Sequence, residues 1–129
     1  MSAARRSISI DGLSHQTGIP CGSRIGPLLT TSVIMPFEPG TRDVPETVEA
    51  QVANVFMHAE AILVAAGGGW KDVAKMNFWV TTGSHRDLIE RRWLEVFPDP
   101  TSRPARHTQV QPGPGKAEVF GDLLAYIID

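Results

Sequence analysis

The 129-residue chain contains one cysteine, one tyrosine, no marked excess of charge and no long apolar run. Each shortage excludes something. Cys21 alone closes no internal disulfide, so the chain does not read as a disulfide-stapled secreted domain. His15, His58, His85 and His107 are scattered without the paired spacing of zinc ligands, so no metal is expected. Lys and Arg number 12 against 14 Asp and Glu, and a net charge of −2 offers no basic footprint, so a nucleic-acid partner is not expected. The most apolar window, "AILVAAGGGW", falls short of the roughly 20 residues that span a bilayer, and "MSAARRSISI" lacks the apolar core of a signal peptide. No membrane partner and a cytoplasmic location are the resulting expectations.

What the chain does contain fits one compact domain over residues 1–129, long enough to bury roughly two-thirds of its unfolded surface. Alternation in "RSISI" (6–10) predicts a strand, and "LLTTSVIM" (28–35), rich in β-branched residues, predicts another. The Gly- and Pro-rich "SHQTGIPCGSRIGP" between them predicts a loop. Val48, Val52, Val55, Ala59 and Ile62 repeat at helical spacing, with Pro45 in the first turn and Gly67–Gly69 as the stop. "AKMNFWVT" (74–81) alternates as a strand, with Met76, Phe78 and Val80 on one side. Ser84 with Asp87 forms a capping-box pattern ahead of a second helix carrying Ile89, Trp93, Val96 and Phe97 and ended by Pro98. Strands over 105–111 and 118–128, joined by "PGPGK", complete the order β-β-α-β-α-β-β.

That order predicts an α+β domain, a mixed sheet with both helices on one face, because a strand-helix-strand crossover turns in one hand. The last strand is apolar on both sides, with Val119, Leu123, Ala125 and Ile127 alternating against Phe120, Leu124, Tyr126 and Ile128. A sheet covered on one face alone should alternate with polar residues, so another subunit is the expected second cover.

Arg106, in "TSRPARHTQVQ", stands at the head of a strand that reads as buried, and a guanidinium there needs a counter-charge. Either an internal carboxylate or a ligand supplies it. "RIGPLLTTS", "ETVEAQVANVFMHAEAILVAAGGGWKDVAKMNFWVT" and "RPARHTQV" together resemble the RidA (YjgF) family of reactive-intermediate deaminases over nearly the whole chain. The resemblance implies a chorismate-mutase-like fold, a homotrimer with sites between subunits, and no cofactor. It implies that Arg106 grips the carboxylate of a 2-imino or 2-enamino acid, which a planar guanidinium can hold through two parallel charge-assisted bonds. The product would be the 2-keto acid plus ammonia. Asp122 aligns with a family glutamate that positions the attacking water, if one residue is inserted near "PGPGK"; its other reading is a surface carboxylate. Thr108, on the face of Arg106, binds ligand or satisfies a backbone group.

Three departures from the family pattern bear on the pocket. Ser32-Val33-Ile34 replaces Ser-Gly-Gln, which leaves a main-chain N–H at Val33 but adds a β-branched side chain. Ile19-Pro20-Cys21 replaces Gly-Pro-Tyr, so the place of a pocket tyrosine falls to His15, to Cys21 or to neither. Leu124 replaces a second glutamate. An altered substrate range is expected, and a non-catalytic carboxylate-binding or regulatory trimer is the alternative. A ribonuclease, the family's other label, would need a basic track and aromatic stacking platforms that the composition does not clearly offer. His107 should point away from Arg106, Arg91 and Arg92 should be solvated, and His58 and Glu60 need no special role.

Overall fold

In the computed structural model, which describes residues 4–13 and 17–128, one six-stranded sheet carries both long helices on one face. The strands are β1 (Arg5–Ile8), β2 (Gly22–Ile25), β3 (Leu28–Thr31), β4 (Val73–Val80), β5 (Ala105–Val110) and β6 (Val119–Tyr126). Their spatial order is β1-β2-β3-β6-β4-β5; β4 and β5 are parallel and every other pairing is antiparallel.

The α+β layout matches expectation, with one strand more than the sequence pattern predicted. β2 lies inside the segment read as loop. Gly26 takes φ 56° in the two-residue turn Gly26-Pro27, so Ile25 pairs with Leu28 and Gly22 with Thr31 in a tight hairpin. Four residues with one charged member are too short for alternation to stand out.

Helix α1 (Val48–Ala65) starts one turn later than Pro45 suggested, because the Thr47 hydroxyl accepts from the Ala50 N–H and caps the helix. It ends in a Schellman motif: Gly67 adopts φ 89°, its N–H donates to Val64 and the Gly68 N–H donates to Leu63. Eighteen residues of this composition are long and apolar enough to cross a membrane, yet Val52, Val55, Ala59, Ile62 and Leu63 are buried against the sheet, as in a core helix.

Helix α2 (Arg86–Val96) follows a short 3-10 turn, Gly83–His85. The expected capping box is not formed. His85 occupies the N-cap without a side-chain cap, and Ser84 lies inside the 3-10 turn with its hydroxyl 3.5 Å from Thr82. The start of α2 is instead tied down by Glu118, which accepts from the Thr81 hydroxyl and lies 3.1 Å from His85 Nε2.

The core lies between the helices and the sheet. Met76, Phe78 and Val80 of β4 are essentially inaccessible, as are Val119 and Ala125 of β6. Phe78 stacks on Phe56 of α1 at 5.6 Å and meets Trp93 of α2 edge-on at 6.5 Å, joining both helices to the central strand through aromatic rings. On the opposite face Leu28, Leu124 and Tyr126 remain exposed.

Gly121 lies where β4, β6 and Ile34 meet, and a Cβ there would stand 2.7 Å from the Asn77 carbonyl oxygen. Gly121→Ala is therefore expected to cost about 1–3 kcal/mol through overpacking, read as a lowered denaturant midpoint. The Glu118 carboxyl is held below its ordinary value of 4.5, first by the Thr81 hydrogen bond and then by His85. A depressed carboxyl contributes stability above its ordinary range and loses it as pH falls through the folded-state value. Thr81→Val should thus unfold at lower temperature than wild type near neutral pH, with the gap closing below about pH 4.5; a gap that widens on acidification would contradict this linkage.

Candidate active site

The parallel register of β4 and β5 decides where the Pro-Ala-Arg arginine points. Arg106 is paired with Met76 and Thr108 with Phe78, and parallel partners share a face, so both side chains lie on the helix side of the sheet. β5 is an edge strand with largely exposed residues, not the buried strand expected from its composition. Arg106 thus sits at the rim, with its side chain 29% exposed.

The guanidinium already has a counter-charge. Nη1 of Arg106 lies 2.7 Å from Oε1 of Glu90, and its Cζ lies 4.9 Å from the centre of the Trp93 ring. Arg86 donates from Nη2 to the Thr108 carbonyl at 3.3 Å. Arg86, Glu90 and Trp93 follow one another at i, i+4 and i+7, so a single stripe of α2 holds the end of β5. The sequence pattern marks Arg91 and Arg92 on this helix as solvated and does not mark Glu90 or Arg86. The i, i+4, i+7 spacing was the available signal, but it marks any helix face that packs on a neighbour.

Asp122 lies elsewhere. It is paired with Asn77, and Asn77 with His107, so these three residues cross three strands on the open face, away from Arg106. The Asn77 side-chain amide donates to Oδ1 of Asp122 at 2.8 Å. His107 does face away from Arg106, as alternation required. The antiparallel Ile34–Gly121 pair brings the Ser32-Val33 segment alongside Asp122. Val33 is exposed; the neighbouring N–H groups are committed, that of Ser32 to the Cys21 carbonyl and that of Ile34 to the Gly121 carbonyl. The Ser32 hydroxyl donates to the Pro20 carbonyl at 2.9 Å, a structural use.

Cys21 is buried in the core, which favours its reading as a small hydrophobe over that of a pocket group. His15 lies outside the described residues. His58 is buried with Nε2 2.6 Å from the Phe37 carbonyl oxygen, and Glu60 accepts from the Trp70 indole, both structural. Among the described residues no cluster of His, Cys, Asp or Glu could hold a metal.

A wide recess of about 720 Å³ lies at the end of α1, bordered by Arg5, Arg6 and Arg24. Two of these cations are engaged with main chain: Arg24 donates to the carbonyls of Ala66, Gly26 and Ile127, and Arg6 to Ala66 at 3.2 Å. The two bonds to the Ala66 carbonyl cap the negative end of α1. The candidate residues therefore fall into two groups, Arg106 with Thr108 on the helix side of the rim and Asp122 with Val33 on the open face.

The family model described as Endoribonuclease L-PSP matches residues 20–117. The chain belongs to the RidA/YjgF family. RidA from the Antarctic bacterium Psychrobacter sp. PAMC 21119 is 27% identical, with a TM-score of 0.86 over 95% of this chain and 99% of its own. YyfA of Yersinia pestis, a Rid protein of unknown function, is 23% identical with a TM-score of 0.87 over 96% of this chain and 100% of its own. TdcF of E. coli, solved with bound serine, is 23% identical with a TM-score of 0.84 over 94% of this chain and 98% of its own. No curated protein matches the sequence. For this RidA-family chain, Asn77 is the residue that pins the Asp122 carboxylate. Asn77→Ala is expected to lower stability by about 1 kcal/mol, the worth of one partly buried hydrogen bond, and to broaden the Asp122 side-chain signal in NMR.

Proposed function

We propose that this RidA-family protein hydrolyses 2-imino or 2-enamino carboxylic acids to 2-keto acids and ammonia. The observation that carries the reading is Arg106, the arginine of the family's Pro-Ala-Arg motif, held at the sheet rim by Trp93 with its side chain partly exposed.

In this reading the enamine tautomerises to the imine, water adds to the C=N carbon, and ammonia leaves as the carbonyl forms, so that imino acid plus water gives keto acid plus ammonia. Arg106 fixes the carboxylate and Thr108 lies beside it. Asp122, steadied by Asn77, orients the water and takes up its proton. The main chain at Val33 supplies a further contact. Arg106 and Asp122 lie on opposite faces of one sheet, so they act together only if different subunits contribute them. A homotrimer with sites at its seams meets that requirement, and the exposed Leu28, Leu124 and Tyr126 on the open face suit burial by a neighbour. A cytoplasmic location accords with this metabolite chemistry.

A second reading, a carboxylate-binding trimer without turnover, is favoured by Leu124 and Cys21 standing where many members carry glutamate and tyrosine. The description of the matching family model, an endoribonuclease, supports a ribonuclease as a third reading.

The test is ammonia release from freshly generated 2-iminobutanoate. Arg106→Ala should lower kcat/KM by roughly 10- to 150-fold, the loss of a charged hydrogen-bond pair, and Arg106→Lys should fall between it and wild type, since it keeps charge without the fork. Asp122→Asn should lower kcat with little change in KM. Turnover indifferent to Arg106→Ala would overturn the deaminase reading; carboxylate binding without turnover would support the second reading, and RNA cleavage that survives Arg106→Ala the third.

A further inference from the structure

Glu90 occupies one arm of the group proposed to hold the substrate carboxylate. From this we infer that Glu90 is a specificity-determining residue, which makes the site at Arg106 select carboxylates that carry a cationic nitrogen over carboxylates that do not. The inference rests on the reading of Arg106 as the carboxylate anchor.

The geometry gives the physical reason. Glu90 Oε1 takes the Nη1 arm of the guanidinium at 2.7 Å, and in this inference the incoming carboxylate takes the other edge of the fork. A bound carboxylate then lies close to the carboxylate of Glu90. Arg86, anchored on the Thr108 carbonyl, adds a second cation at the same rim, so the group Arg86, Glu90 and Arg106 carries a net charge of 2 − 1 = +1. One ligand carboxylate neutralises that charge. An acid with no other charge is still exposed to the like charge of Glu90, and like charges at close range cost binding energy. An iminium or ammonium nitrogen next to the carboxylate offers Glu90 an opposite charge and a hydrogen-bond donor.

The consequence falls on the two ends of the proposed reaction. The protonated imino acid is a zwitterion of net charge zero, whereas the 2-keto acid product is an anion with no nitrogen. Glu90 would admit the first and weaken the hold on the second, which favours product release.

The experiment compares two stable acids of equal carbon skeleton, 2-aminobutanoate for the zwitterion and 2-oxobutanoate for the product, titrated by heteronuclear NMR into the protein in its solution assembly. Wild type, Glu90→Gln and Arg106→Ala are measured side by side. The Glu90 side chain is 48% exposed, so its replacement leaves the core intact. Glu90→Gln should tighten 2-oxobutanoate by about two- to fivefold, the range of a partly exposed charge pair, and should leave 2-aminobutanoate unchanged or weaker. A change of the same size for both acids, or weaker binding of both, would mean that Glu90 merely orients Arg106 and would overturn the inference. In that event Arg106→Ala still losing both acids leaves the anchor reading intact. If Arg106→Ala binds both acids as wild type does, or if none of the three proteins binds either acid, the anchor reading fails and the inference falls with it.

Discussion

The parallel alignment of β5 on β4 is the constraint from which the rest follows. Strand alternation turns Met76, Phe78 and Val80 into the core, and a parallel neighbour in register must send Arg106 and Thr108 the same way. A slip of one residue would move Arg106 to the open face and put His107 under α2. The register is held by the ladder itself and by α2, the crossover helix, whose Arg86, Glu90 and Trp93 meet Thr108 and Arg106 of β5. Because β4 also pairs with β6, the same strand directs Asn77 and Asp122 to the opposite side. One strand thus assigns both groups of candidate residues to their faces.

Burial and charge are matched at the rim in a way that suits a site. Arg106 stacks on an aromatic ring that is itself fixed by Phe78 and Phe97, so its stem is ordered without its charge being removed from water. Its partner Glu90 is about half exposed, and such pairs contribute little stability. The pair can be rearranged by a ligand at small energetic cost. Arg24 shows the contrast: it is buried, and its donors are spread over the carbonyls of Ala66 at the end of α1, Gly26 in the hairpin turn and Ile127 after β6, a structural arrangement.

Much of the fold could be read from periodicity, and what escaped has definite physical causes. The stripe of α1 and the alternation of β4 extend over many residues and bury nearly every side chain they pointed to. β2 escaped because a tight hairpin with a Gly-Pro turn looks like loop composition, and the capping box at Ser84 failed because a 3-10 turn took its place. Of the site, the motif placed Arg106 and Thr108 on one face, and alternation placed His107 on the other. Glu90 and Asn77 were hidden for a common reason: each matters through a partner distant in sequence, and only the folded register brings them together.

The opposite orientation of Arg106 and Asp122 also limits what a single subunit can do under the deaminase reading. Within one chain the sheet separates the proposed anchor from the proposed water-orienting group, and no side-chain rotation crosses a hydrogen-bonded sheet. Chemistry that uses both therefore depends on assembly. Under that reading the shorter reach of Asp122 relative to glutamate is partly offset by Asn77, which fixes one carboxylate oxygen. A shorter group held in one orientation can serve where a longer one would have to be ordered on binding, since ordering a free side chain carries an entropic cost.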